Sequence, residues 1–253
     1  MFNKLKGELK RRLQDHVRRE VALASRDVDL ARFHAAAVES AAFVDQNMPQ
    51  ARSYPDRFAL MRAAIENIEL SGLCCEFGVY RGETINFIAS LLPGEVHGFD
   101  SFEGLPDDWG SRHPKGTFAV SELPQVRANV RLHGGWFEAS LPPFLEEHSG
   151  PAALLHLDAD LYSSTRTVLE LMGDRIVAGT VLQFDEFFNY PGWQAGECKA
   201  FQEFCLARGV ELRYLGYVGS GGQVAVKILR TGGSAGEAAS NEVVLARNGI
   251  SPR

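Results

Sequence analysis

The sequence predicts an α/β fold built on a mostly parallel sheet, and three observations carry that prediction. Short apolar runs alternate with helical stretches from Tyr54 to about Leu229, the order that lays helices over both faces of parallel strands. Glycine, proline or serine marks the changes of pattern, as at Ser71-Gly72 and Pro93-Gly94, where the chain needs a turn. Several of the apolar runs stop in glycines or carboxylates, and in open parallel sheets ligands bind beyond such strand ends.

The elements follow in order. Residues 1–47 are helical in type, with no Gly after Gly7 and no Pro before Pro49. Phe2, Leu5, Leu9 and Leu13 fall at helical spacing among Lys4, Lys6, Lys10, Arg11, Arg12, Arg18 and Arg19, which makes an amphipathic helix. The apolar stripe is thin and lacks Trp, so residues 1–53 read as a helical extension packed on the domain or on a second subunit. A membrane-surface helix is the disfavoured alternative. In the domain, residues 54–230, helices are expected at 55–70, 83–92, 123–130, 163–172 and about 196–207. Strands are expected at 73–77, 96–99, 130–137 (weakened by Gly134-Gly135), 152–157 and 180–184. Runs 211–218 and 223–228 flank Gly219-Ser220-Gly221-Gly222 and predict an antiparallel hairpin. Residues 231–253, rich in Gly, Ala, Ser and Asn, are expected to be a flexible tail.

Bulk properties narrow the function. The 253 residues carry a formal charge of -6, which argues against a nucleic-acid partner, since such binding needs clustered positive charge. Cys74, Cys75, Cys198 and Cys205 form no C-x-x-C pair and read as buried small hydrophobes in a reducing compartment. No secretory pattern opens the chain, and no window is apolar enough for a transmembrane segment. A cytoplasmic protein is expected.

The run 73–82 holds a strand, Glu76, Gly78, Tyr80 and Gly82, then a helix. Gly78 and Gly82 allow a tight turn and a close ligand approach. Asp100 follows Gly82 by 18 residues at the end of the next strand, the place of a ribose-binding acid. A dinucleotide enzyme would want G-x-G-x-x-G. Here the spacing is G-x-x-x-G with Glu76 before it, and a carboxylate repels a pyrophosphate while it suits the cationic amino-acid end of S-adenosylmethionine.

Two further strands end in acids, Asp158 with Asp160 and Asp185 with Glu186. In a parallel sheet both ends share one edge, so four carboxylates converge near the turn and repel unless a cation or proton intervenes. Hard oxygen ligands suit Mg²⁺, which could hold a substrate hydroxyl while a free carboxylate takes its proton. Capping of the next helix by Asp160 is the plainer alternative. His156, inside an apolar strand, reads as a core histidine rather than a base.

The segments Glu76-Phe-Gly-Val-Tyr-Arg-Gly82, Phe99-Asp-Ser-Phe-Glu-Gly-Leu-Pro106, Gly135-Trp-Phe-Glu138 with Leu141-Pro142, and Leu157-Asp-Ala-Asp-Leu-Tyr162 together resemble the macrocin O-methyltransferase-like family of class I methyltransferases. The likeness runs from about Tyr54 to Lys227. It implies a Rossmann-like fold with a seven-stranded sheet, S-adenosylmethionine at the first turn, and Mg²⁺-assisted methylation of a sugar hydroxyl on a small-molecule or saccharide acceptor. By this resemblance Glu76, Gly78, Tyr80 and Gly82 line the methionine end of the cofactor. Asp100 takes the ribose, Ser101 and Phe102 lie beside the adenosine, and Trp136 and Phe137 lie near the adenine. Asp158 and Asp185 match metal ligands, Asp160 the general base. Glu186 replaces the second of two adjacent aspartates, which changes the geometry of the metal site. The aromatic stretch 187–193, with Glu197, is read either as a lining of the acceptor pocket or as a packed surface loop. The rival readings are a Rossmann-type NAD-dependent oxidoreductase and a non-catalytic binding module that recruits a partner through the basic helix. The long helical N-terminus also makes a homo-oligomer an expectation.

Overall fold

Ala152–Leu157 is the most apolar run of the domain, interrupted only by His156, and all six residues are buried in strand β5. In the computed structural model, which describes residues 2–24 and 26–232, β5 lies in the middle of an eight-stranded sheet. The others are β1 (Arg52–Tyr54), β2 (Leu73–Phe77), β3 (Val96–Asp100), β4 (Val130–Gly134), β6 (Val181–Phe184), β7 (Glu211–Val218) and β8 (Val224–Arg230). Their order is β1-β7-β8-β6-β5-β2-β3-β4. β8 runs antiparallel to both β6 and β7, and every other pairing is parallel. The α/β class with its antiparallel hairpin is therefore present.

The strand count of seven is corrected to eight. The extra strand is β1, whose residues pair in parallel with Gly216, Tyr217 and Val218 of β7. Arg-Ser-Tyr has no apolar alternation, so nothing local announces it; the partner strand makes it.

Two layers of helices sandwich the sheet. On one face Cys75, Phe77, Leu155, Leu157 and Phe184 pack with α5 (Phe137–Glu147), α6 (Tyr162–Leu171) and α7 (Glu197–Arg208). On the other, Leu154, Val181 and Ala225 pack with Leu60, Met61 and Ala64 of α3 (Arg57–Glu66) and Ile85 and Ile88 of α4 (Glu83–Leu91). Alternate residues of one strand feed opposite layers, the two-sided burial that a parallel sheet requires. Capping fixes the start of α3: Asp56 accepts from the N–H groups of Phe58 and Ala59, both at 2.9 Å.

Proline bears on two helices, one expected and absent, the other present without having been expected. No helix forms at 123–130; residue 123 precedes Pro124, which disfavours the helical region for it, and Leu123 stays exposed. Conversely α5 forms although Pro142 and Pro143 lie inside it, because Leu141 and Phe144 are buried against the sheet and tertiary packing overrides local propensity.

The N-terminal extension divides. α1 (Phe2–Ala24) and α2 (Val28–Asn47) meet at Asp27, which caps α2. The second half of α2 packs on the domain: Phe43 meets the edge of Trp193 at 5.4 Å, and the Asn189 N–H donates to the Ser40 hydroxyl at 2.9 Å. In α1, Leu9, Leu13, Val17 and Val21 are each more than half exposed. The tail from residue 233 onward lies outside the described residues. No helix among them is long and apolar enough to cross a membrane. Cys75, Cys198 and Cys205 are buried free thiols, and Cys74 is partly buried.

Candidate active site

The turn after β2 is clamped from the next strand. The Asp100 carboxylate at the end of β3 accepts from the N–H groups of Val79 and Tyr80 through Oδ2, both at 2.8 Å, and from Phe102 through Oδ1 at 2.7 Å. These bonds hold Tyr80 and Phe102 at positive φ, 48° and 60°. Gly78 has φ +92°, and a Cβ there would run into the carbonyl oxygen of Asp158. This position tolerates glycine alone. Oδ1 of Asp100 accepts the one bond from Phe102, and a carboxylate oxygen has capacity for a second.

Glu76 does not face that cavity. It is fully buried, and its Oε1 lies 2.9 Å from Nδ1 of His156, the residue opposite it on β5. Burial pushes the Glu76 carboxyl up, and the bond to His156 lowers it. Gln183 of β6 continues the row. Among the described residues Glu76 Oε2, His156 Nε2 and both amide atoms of Gln183 have no hydrogen-bond partner. His156 is thus a core histidine, paired with a carboxylate and 4.0 Å from Asp185 on its other side.

The two acidic strand ends come together. Asp160 has φ +59°, and burial, then the charges of Asp185 and Asp100, lifts its carboxyl to about 7. Glu186 rises to about 9, by burial first and then by Asp185, Glu197 and Asp160. Asp158 is raised by burial and then by Asp185 and Asp160. Asp185 accepts from the Gln223 amide at 3.2 Å, while its Oδ1 has no partner among the described residues.

A cavity of about 610 Å³ runs from this turn to these acids, lined by Gly78, Tyr80, Asp100 and Ser101 at one end and by Asp158, Asp160, Asp185 and Glu186 at the other, with Trp136 and Phe137 on its wall. A second cavity of about 640 Å³ meets it at Trp109, His113, Asp160, Ser163 and Glu186, and is walled by Phe33 of α2 and Tyr190. Of the residues the sequence singled out, Gly82 and Phe102 join Glu76 in lining neither. Gly82 instead caps α4.

One feature escaped the sequence reading, and two that it left open are decided. The loop 107–113 forms much of the second cavity, with Trp109 stacked on His113 at 5.1 Å. Of the aromatic stretch, Phe187, Phe188 and Trp193 are core residues, and Tyr190 with its neighbours alone reaches a cavity. Glu197 is wholly buried behind the site, not in a pocket wall. A buried acid cannot be told from an exposed one by residue type; the signal at Trp109 was its place among Asp107, Asp108 and Gly110.

The donor set of Asp158, Asp185 and Glu186 has the chemistry of a hard-cation site. Its arrangement does not: among the described residues no three Asp, Glu, His or Cys side chains are gathered as the ligands of one ion. A nucleoside-sized cofactor fits better. The cavity volume is that of a small-molecule site, and Asp100 has acceptor capacity to spare.

Comparison with known proteins agrees. Residues 75–187 match the sequence family described as a methyltransferase domain. Over 140 residues the chain is 32% identical to the 8-demethyl-8-(2,3-dimethoxy-alpha-L-rhamnosyl)-tetracenomycin-C 4'-O-methyltransferase of Streptomyces olivaceus, covering 44% of this chain and 51% of that protein. The chain spans about half the length of the curated relative it matches. Among solved structures, the calicheamicin methyltransferase CalS11 aligns with a TM-score of 0.56 at 22% identity, over 79% of this chain and 93% of that one. The O-methyltransferase NovP aligns with a TM-score of 0.51 at 22% identity, over 69% and 80%. Residues 75–187 are thus similar to a methyltransferase domain, and the fold of the chain is the one these solved structures share. The Streptomyces olivaceus relative and NovP are both named as O-methyltransferases.

Proposed function

We propose that the chain is an S-adenosylmethionine-dependent O-methyltransferase that acts on a sugar hydroxyl of a glycosylated small molecule or saccharide. The observation that carries it is the junction of the two cavities. One holds the clamped Gly78–Tyr80 turn and Asp100, the other has aromatic walls, and both open on Asp160 and Glu186. A donor and an acceptor seated in these cavities would meet beside a carboxylate. The sugar acceptor is supported by the tetracenomycin relative, whose name places its methyl group on a rhamnosyl-bearing molecule.

S-adenosylmethionine supplies an electrophilic methyl group on a sulfonium. In this reading Gly78 and Tyr80 line its methionine end, Asp100 binds the ribose, and Ser101, Trp136 and Phe137 border the adenosine. Glu76, Gly82 and Phe102 act from behind, Glu76 by charge and the other two by shaping the turn. Asp160 accepts the proton of the attacking hydroxyl; a carboxyl lifted to about 7 is well matched to proton transfer near neutral pH. The protein's other work is alignment and exclusion of water, which suits a reaction that discharges a cation.

The test is a screen of aryl and alkyl rhamnosides and related glycosides with labelled S-adenosylmethionine, run with added Mg²⁺ and with chelator. Label transferred to a glycoside hydroxyl supports the reading. Binding of NAD but not of S-adenosylhomocysteine would overturn it. Stimulation by Mg²⁺ that is lost in Asp185→Asn would put the ion on these acids.

A further inference from the structure

Glu197 opens α7 and exposes none of its surface. Its Oε1 accepts from the Ala159 N–H at 3.3 Å and the Thr165 hydroxyl at 3.0 Å, and its Oε2 from the Glu186 N–H at 3.2 Å. Ala159 stands between Asp158 and Asp160, and Glu186 follows Asp185. One carboxylate therefore ties together the two strand ends that carry all four acids of the site.

The tie bears on Asp160 in particular. Its φ of +59° is a left-handed conformation that costs a side-chain-bearing residue roughly 1–2 kcal/mol and persists where neighbours hold it. On one side the Leu161 N–H closes a tight turn onto the Ala159 carbonyl at 2.6 Å; on the other Ala159 is held by Glu197. A buried carboxylate is an expensive way to fill space beside other acids, and an apolar side chain would pack there at lower cost.

We propose that Glu197 is a positioning residue: it lines neither cavity and acts by fixing the separation between Asp160 and Glu186 across the ends of β5 and β6. Its catalytic consequence rests on the methyltransferase reading, while the tie itself is a property of the fold.

The test is Glu197→Gln, which keeps size but leaves one acceptor oxygen, so that one of the two loops loses its partner. By backbone hydrogen exchange, the amide of Ala159 or Glu186 should exchange at least about tenfold faster than in the wild type while the melt stays cooperative. With a glycoside acceptor, kcat should fall by about 10–100-fold, the scale of a small misplacement, with KM for S-adenosylmethionine within about twofold. Thr165→Val, which removes the third donor but neither loop tie, should leave both amides protected and kcat near wild type. Should Glu197→Gln fail to fold, Glu197→Asp retains the charge on an arm too short to span both loops and is expected to lose one amide's protection likewise. Both amides as protected as in the wild type, or an unchanged kcat, would overturn the proposal. A wild-type protein that binds no S-adenosylhomocysteine overturns the methyltransferase reading instead, and the exchange result still decides the tie.

Discussion

The carboxyl edge of the sheet and the outer strands β3 and β4 each gather ionisable groups of one kind, and they treat charge in opposite ways. At the edge, burial lifts Asp160 to about 7, Glu197 to about 8 and Glu186 to about 9. Across β3, β4 and the end of α5, His97 lies 3.2 Å from His133 by their ring nitrogens and 5.0 Å from the His148 ring centroid. Burial first, then the other two histidines, pushes His97 down to about 4. Desolvation leads in both places, disfavouring the charged form of Asp160, Glu186 and Glu197 at the edge and of His97 on the outer strands. What differs is access: Asp160 and Glu186 border two cavities, with Glu197 bonded to the loops that carry them, whereas His97 is packed against Phe144 and borders neither. A perturbed ionisation marks a functional group only where a ligand can reach it.

The two clusters also pull stability opposite ways with pH. The acids have folded values above their unfolded ones, so their contribution is complete below about pH 4 and is lost as pH rises through 7 to 9. His97 has a folded value below its unfolded one, so its contribution is present above about pH 6.5 and is lost as pH falls toward 4.

The sharpest way to break the comparison is Asp160→Asn. Turnover should drop by about 10²–10⁴-fold while calorimetric affinity for S-adenosylhomocysteine stays close to wild type; weak cofactor binding with intact turnover would refute the role. Next comes the buried pair. His156→Leu strands Glu76 without its partner and should cost about 3–5 kcal/mol in urea unfolding, whereas replacing both residues by leucine should cost far less. The histidine side is tested by His97→Phe. Between pH 7 and pH 5 the wild type should lose roughly 2 kcal/mol to the protonation of the unfolded His97, and the variant should be spared that loss. The smallest effect belongs to a carboxylate in neither cluster: Asp56→Ala, which removes the cap of α3, should cost about 1 kcal/mol at neutral pH with no change in turnover.

Much of this was legible in the residues. Ala152–Leu157 announced a central strand because it is apolar but for His156, and Asp100, Asp158 and Asp185 announced a ligand edge because each stands at the end of a strand. What escaped was set by distant partners. β1 exists only because β7 offers it an edge, α5 forms against its own prolines because Phe144 has a core to enter, and Glu197 reads as any first-turn helix acid until Ala159 and Glu186 are brought to it. Glu76 shows the finer limit: its charge and place were readable, but not that it would turn away from the cavity to meet His156.

The missing side chain at Gly78 reaches further than the turn it permits. With nothing projecting there, the backbone after β2 presses on the carbonyl of Asp158, and the Asp158 N–H in turn donates to Phe77 at 2.9 Å. The floor of one cavity and the first acid of the reacting end are thus joined along a single backbone seam. On the proposed methyltransferase reading, changes aimed at donor affinity along this seam will register in turnover as well, so the two properties would be constrained to evolve together.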